Sequence, residues 1–293
     1  MFRRVMRFAA ECVPCLLNRV LYEVELVAPE RADEAMESSL AILDAEFRRG
    51  VNSAALATKV HRAAYAIAGT DDPYSELKIR SDQVAEKIFA RSSAFVEGSA
   101  DRFEAAALCA IAGNVLDFGI AVGIETPEQL EKAFQSLVAE GLGVNDLPEA
   151  KKLVKRSKTV LYLLDNCGES VFDRLLVREI KRLGPKVIGV AKGEPILTDV
   201  TLEDAKRVGL DKEFDELLTT GQFAVGLDVA KVGKKLKERF DSADMVVSKG
   251  MANFEALSDE LVRPVLYLMR AKCEPVARAV GANRNDNVAR LVT

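Results

Sequence analysis

The hydrophobic period of this chain changes once, and that change limits the fold more than any other feature. Up to about residue 155 the apolar residues recur at helical spacing. Beyond it, short apolar runs alternate with amphipathic stretches, the pattern of βαβ units and a parallel sheet. The clearest run is Val160-Leu-Tyr-Leu-Leu164. It passes straight into Asp165, Asn166, Cys167, Gly168 and Glu169 before an amphipathic segment opens. A buried strand that ends in a polar turn and feeds a helix builds sites in such sheets, because the carboxyl ends of the strands share one crevice. Taken alone, Asp165 and Asn166 read two ways: as oxygen ligands of a hard cation, or as caps of the helix that follows.

The first half reads as helices. Leu16, Leu17, Val20, Leu21 and Val24 form one stripe, and Met36, Leu40, Leu43 and Phe47 another. A third segment opens at Asn52-Ser53 and closes near Gly69. Further helical patterns cover residues 75–95 and 101–118, and Thr126-Pro-Glu-Gln129 reads as a helix start with Thr as its cap. In the second half, strands are expected at 160–164, 187–191, 213–218, 244–248 and 265–269, with 287–293 as a last edge strand. Helices are expected at 170–183, 202–208 and 228–240. The expected organisation is an α-helical domain over residues 1–155 and an α/β domain over 156–293.

Several function classes are excluded early. The net charge of −4 argues against a general nucleic-acid binder. No uncharged apolar window is long enough for a membrane span, and the basic N-terminus lacks a signal peptide's apolar stretch, so a cytoplasmic protein is expected. Five cysteines do not make a secreted disulfide scaffold. With His61 as the only histidine, His-based catalysis and His-rich zinc sites are nearly excluded.

The polar residues of the second half gather where the strands end. Asp165, Asn166 and Glu169 follow the first strand, and Asp199 and Thr201 lie in the loop after the second. Ser248, Lys249, Asn253 and Glu255 follow the fourth, and Arg270 and Lys272 the fifth. Carboxylates with a carboxamide suit Mg²⁺ or Mn²⁺, and lysine with backbone N–H groups suits phosphate. Converging metal and cationic groups indicate phosphoryl chemistry, in which positioning and charge neutralisation supply most of the catalysis.

Asp165-Asn-x-Gly-Glu169, Leu197-Thr-Asp-Val-Thr201, Lys249-Gly-x-x-Asn-Phe-Glu255 and Arg270-Ala-Lys-Cys273 resemble the motif series of the damage-control phosphatases, a metal-dependent family. Glu11-Cys-Val-Pro-Cys15 and Gly113-Asn-Val-Leu-Asp117 resemble its archaeal and bacterial subfamily. The resemblance covers nearly the whole chain. It implies a helical N-terminal domain, a three-layer αβα Rossmann-like domain with a mainly parallel sheet, and hydrolysis of phosphorylated small metabolites. It also implies a divalent cation (Mn, Co, Ni or Mg). By position, the metal ligands fall on Asp165, Asn166 and Asp199, and the phosphate-side lysine on Lys249. Asn253 and Glu255 are its polar neighbours, and Asn114 and Asp117 reach in from the helical half. The catalytic set implied is Asp165, Lys249 and Glu255. The substrate-side set is Asn114, Asp117, Ser248, Lys249, Asn253 and Lys272. Thr198 departs from the Asn expected before Asp199. The attacking group is either a metal-activated water or Asp165 itself.

Other residues carry plainer readings. Cys12 and Cys15 have redox-pair or half-zinc spacing but lack a second pair; they are read as buried inert thiols, or with Cys273 as a three-thiol cluster. Cys109 is read as core, Cys167 as filler in the turn, and His61 as structural on an exposed helical stretch. Two rival functions stay open: an S-adenosylmethionine-dependent methyltransferase, whose turn needs more glycines than Gly168 alone, and a non-catalytic metabolite-binding protein.

Overall fold

The computed structural model describes residues 5–48, 50–115, 126–260 and 264–293. Its first half is helical: α1 (Cys12–Glu25), α2 (Ala32–Glu46), α3 (Ser53–Ala68), α4 (Ser75–Gly98), α5 (Arg102–Ala112) and α6 (Gln129–Ala139). Asn52 caps α3 by accepting from the Ala55 N–H at 3.0 Å, and Gly69 ends it in the left-handed conformation at φ 72°. Asp101 caps α5 in the same way.

The buried face of α2 differs from the expected one. Ala35, Ser39 and Leu43 are buried, whereas Leu40 and Phe47 are exposed. The small side chains let α2 lie close against α1 and α3, and that contact outweighs the larger apolar residues one position on. The α6 helix starts at Gln129 and not at Pro127, with no side-chain cap.

The rest of the chain builds the sheet: β1 (Val144–Asn145), α7 (Leu147–Val154), β2 (Thr159–Leu163), α8 (Glu169–Arg182), β3 (Lys186–Ala191), α9 (Leu202–Arg207), α10 (Leu210–Glu213) and β4 (Glu216–Thr219), then α11 (Lys234–Ser242), β5 (Met245–Lys249), α12 (Gly250–Leu257), β6 (Val265–Arg270), α13 (Glu274–Val280) and β7 (Asn287–Val292). Seven strands pair in the order β1-β7-β6-β5-β2-β3-β4 among the described residues. Every pairing is parallel except β6 with β7. Two expectations are corrected here. The α11 helix begins six residues after Asp228, because residues 228–233 form turns that end at Gly233. The β7 strand is not an edge, since Val144 and Asn145 pair with it on its far side.

Side chains alternate across β2, so the sheet is covered on both faces. Val160 and Tyr162 join a core with α4, α5, α6 and α8, while Leu161 and Leu163 join a second core with α11, α12 and α13. The contact that places the site is α5 on α8. Ala105, Ala106, Ala110 and Ala112 line α5, and a Cβ at Gly113 would come within 2.9 Å of the Glu169 backbone. This close approach carries Asn114 to the end of β2.

Candidate active site

The polypeptide leaves β2 through Leu164, Asp165 and Asn166, and the loop after β3 folds back onto it. Asn166 and Asp199 form an antiparallel bridge. Val200 N–H donates to the Asp165 carbonyl at 2.7 Å, and Cys167 N–H to that of Thr198 at 2.8 Å. Two turns separated in sequence are thus bound backbone to backbone. The Thr198 hydroxyl donates to Asn166 Oδ1 at 2.6 Å, so this departure from the expected Asn fixes the carboxamide. Leu197 adopts φ 50°, in the left-handed region that a γ-branched residue avoids. The Tyr65 hydroxyl, from α3, accepts its N–H at 2.9 Å.

Asp165 Oδ2 accepts amide hydrogens from Asn114 at 3.0 Å and Asn166 at 2.6 Å. Both amides also reach Glu169 Oε2, at 2.7 Å and 3.1 Å respectively. Glu169 is therefore a buried anchor for the site, and neither Asp165 nor Asn166 caps α8, whose N-cap position is Gly168 with no side-chain cap. Lys192, which directly follows β3, lies 3.1 Å from Asp199 Oδ2 and donates to the Ala224 and Gly226 carbonyls. The backbone of α12 also presses on Asp165: a Cβ at Gly250 (φ +74°) would fall 1.8 Å from its Oδ2.

Lys249 sits deeper than expected. Its ammonium donates to Glu169 at 2.5 Å, Asp173 at 2.6 Å and the Ala110 carbonyl at 3.2 Å, with no exposure. One ammonium thus serves two carboxylates. Burial raises the Asp173 pKa to about 6, with Lys249 pulling against it and Glu169 adding to it. Asp173 also accepts the Tyr162 hydroxyl at 2.6 Å. Burial works against the charge on Lys249, but the two acids more than offset it and its pKa is raised.

Asp165, Asn166 and Asp199 line a cavity of about 350 Å³, and all three are buried. Lys272, Glu255 and His61 line it too, with Cys12, Cys15 and Cys273 along one wall. The Lys272 ammonium donates to the Asn114 carbonyl at 2.7 Å, and the Asn114 side-chain oxygen accepts the Arg270 N–H at 3.2 Å. Asn253 ties the ends of β2 and β5 through the Leu164 and Lys249 carbonyls. Ser248 is buried in β5, and Asp117 lies outside the described residues.

At the strand ends the ligand atoms that Asp165, Asn166 and Asp199 offer are oxygens. No cluster of three Cys, His, Asp or Glu side chains able to hold a metal occurs among the described residues, so a cation at Asp165 and Asp199 needs the Asn166 carboxamide. Two carboxylates and a carboxamide fit a hard divalent ion. Among the wall thiols, Cys15 is exposed and not buried as expected, and Cys12 and Cys273 are half-buried. Burial, with Glu255 adding, pushes Cys12 up to about 11 and Cys273 up to about 12, which keeps both protonated near neutral pH.

His61 differs from its expected place. It is buried, and its Nδ1 lies 2.8 Å from Glu23, which has no exposure at all. The sequence offered no sign of this partner 38 residues earlier. For Asp173 a sign existed: it follows Glu169 by one helical turn on an amphipathic segment. Lys192 was equally legible, standing where the apolar run of β3 stops.

Strand ends that bring buried carboxylates, a carboxamide and Lys272 to one cavity suit a phosphate-handling α/β enzyme. Residues 8–288 match the model of the damage-control phosphatase ARMT1-like domain, and the chain belongs to that family. It is 40% identical to a damage-control phosphatase of Archaeoglobus fulgidus over 98% of this chain and all of that one. A damage-control phosphatase of Pyrococcus horikoshii is 32% identical, covering 93% of this chain and 94% of that protein. The crystal structure of a DUF89 family protein from P. horikoshii superposes with a TM-score of 0.87 at 31% identity, over 98% of this chain and 99% of that one. The protein is accordingly a phosphatase of small phosphorylated metabolites from a metal-dependent family, and nothing supports a methyltransferase. No helix among the described residues is long and apolar enough to cross a membrane.

Proposed function

We propose that the cavity hydrolyses phosphate monoesters with a divalent cation (manganese, cobalt, nickel or magnesium) held by Asp165, Asn166 and Asp199. The observation that carries this reading is the bridge between Asn166 and Asp199, which brings three oxygen-bearing side chains from two strand ends to one buried wall. When bound, the cation polarises a phosphoryl oxygen and lowers the pKa of a bound water. The chain's own residues do the rest. Lys272 lies beside Asn114 on the same cavity and supplies positive charge to the phosphate. Glu255, on α12, lines the same cavity and orients the substrate. Asn114 and Lys249 act as positioning residues, since Asn114 holds Asp165 and Glu169 while Lys249 holds Glu169 and Asp173.

Asp165 holds the cation in this reading and water attacks. Its Oδ2 takes two amide hydrogens and sits against Gly250, which leaves the carboxylate little freedom to advance on phosphorus. Hydrolysis of p-nitrophenyl phosphate, with each metal and with chelator, tests the function. No release with any of the four ions rejects it, and a trapped aspartyl-phosphate rejects the water route alone.

A further inference from the structure

The cavity wall opposite the strand ends is formed by one face of α3. Ser53, Ala57 and His61 recur there at intervals of one helical turn and all line the cavity. One turn further, Tyr65 holds the N–H of Leu197, two residues before Asp199. The Tyr65 hydroxyl lies within the fields of both Glu23 and Asp199: burial raises its pKa most, and each acid adds to that. The chain's single histidine is therefore close to the metal-side loop.

Its setting is specific. Nδ1 lies 2.8 and 3.0 Å from the two oxygens of Glu23. A carboxylate only accepts, so Nδ1 carries a hydrogen and the ring is fixed. The ring atom left for a cavity ligand is Nε2. Two helical turns before it on the same face of α3, the Ser53 hydroxyl oxygen is buried and has no hydrogen-bond partner among the described residues. A buried hydroxyl is seldom left so, and a ligand oxygen would satisfy it. The α3 wall thus carries an oriented imidazole and an unsatisfied hydroxyl, in a cavity lined from the neighbouring N-terminal segment and α1 by Met6, Phe8, Leu16 and the charged Arg19 among others.

We propose that His61 is the proton donor to the leaving-group oxygen of an alkyl phosphate monoester, with Glu23 as its positioning residue and Ser53 as a contact to the same organic portion. This rests on the phosphatase reading above. As the bond from phosphorus to the leaving oxygen breaks, the imidazolium form of His61, which carries hydrogens on both ring nitrogens, passes its Nε2 proton to that oxygen, and an alcohol departs from the neutral ring. Water supplies the oxygen of the new bond to phosphorus. The proton that water loses goes to solvent, and His61 is reloaded from there.

The leaving group provides the test. p-Nitrophenolate departs without a proton and an alkoxide does not, so a proton donor matters to glycerol phosphate far more than to p-nitrophenyl phosphate. The quantity measured is the ratio of kcat/KM for glycerol phosphate over p-nitrophenyl phosphate, in the full chain with Mn²⁺. His61→Asn alone would leave Glu23 charged and buried, so it is combined with Glu23→Gln. The single Glu23→Gln, which keeps an acceptor for Nδ1–H, is measured beside it and decides the matter if the double variant does not fold. The ratio is expected to fall about 100-fold in the double variant and by a smaller factor in Glu23→Gln. A structural role would lower both substrates together and leave the ratio unmoved, and that result overturns the proposal. A wild type that hydrolyses only p-nitrophenyl phosphate has no alkoxide step to assist and overturns it too. One that hydrolyses neither substrate defeats the phosphatase reading itself.

Discussion

At Gly250 the metal-side carboxylate occupies the space a side chain would need. Gly250→Ala puts a methyl group into Asp165 at a φ of +74°. The left-handed conformation alone costs about 1–2 kcal/mol for an L-residue. The larger effect is on Asp165, which has to turn away from Asn114 and Asn166. We expect kcat to fall at least about tenfold, because misplacement by an ångström is costly in a preorganised site. Steady-state kinetics beside a melting curve separate the two effects. Asp82 offers a second residue-scale prediction. It accepts the Gly168 N–H at 2.6 Å and pairs with Arg207. Burial raises its pKa from 3.8 to about 6, against the pull of Arg207 and of the Gly168 hydrogen bond. A raised folded-state value means that its contribution to stability is complete below pH 3.8 and is lost as the pH climbs through 6. In Asp82→Asn that loss disappears. Urea midpoints measured from pH 4 to pH 7 should converge on or cross those of the wild type, with a relative change of up to about 3 kcal/mol. Parallel profiles would show that Asp82 does not titrate in this window.

The elements of the sheet were legible because buried parallel strands are continuous apolar runs, and four of them stand out in this chain between residues 159 and 270, with the half-buried β4 a weaker one. Asp165 and Asn166 follow such a run closely and Lys249 ends one, so they were legible for the same reason, whereas Asp199 stands in the loop eight residues after β3. What escaped the sequence was contact between distant elements. Lys249 stands at a strand end, yet its ammonium turns into the core, because α5 and α8 bring the Ala110 carbonyl, Glu169 and Asp173 there. The two-residue β1 was hidden because a strand so short has no period. Tyr65 is the element-scale case with a test. It reaches from α3 to the strained loop after β3, and Tyr65→Phe leaves the Leu197 N–H buried without that acceptor, at a cost of about 1–3 kcal/mol. Since Asp199 rides on that loop, the Mn²⁺ concentration for half-maximal activity should rise severalfold. An unchanged metal requirement would mean that the bridge to Asn166 suffices to hold Asp199.

On the scale of the whole molecule, the helical half and the sheet share one buried cluster that runs from Val84 and Ile88 of α4 through Ala106 and Phe172 to Tyr162. A ligand gripped at the strand ends therefore stabilises everything packed on that cluster. Binding at a hundredfold excess over the Kd adds about 2.7 kcal/mol to stability. Mn²⁺ should accordingly raise the Tm of the wild type and leave that of Asp199→Asn almost unchanged, which scanning calorimetry would show.

The antiparallel β7 has a consequence for how the fold is reached. It lies between β6 and β1, so the sheet is completed from inside by a segment that leaves the ribosome after every element it joins. Until residues 287–292 arrive, β6 ends the sheet and β1 has nothing to pair with. Gly143 and Asp146 likewise lack the acceptors that Asn287 and Ala289 provide. During synthesis the α6–α7 region has to wait beside an open sheet edge, a state in which the edge of β6 can pair with another chain. A chain truncated after residue 286 should therefore be more protease-sensitive at residues 140–147 than the full chain.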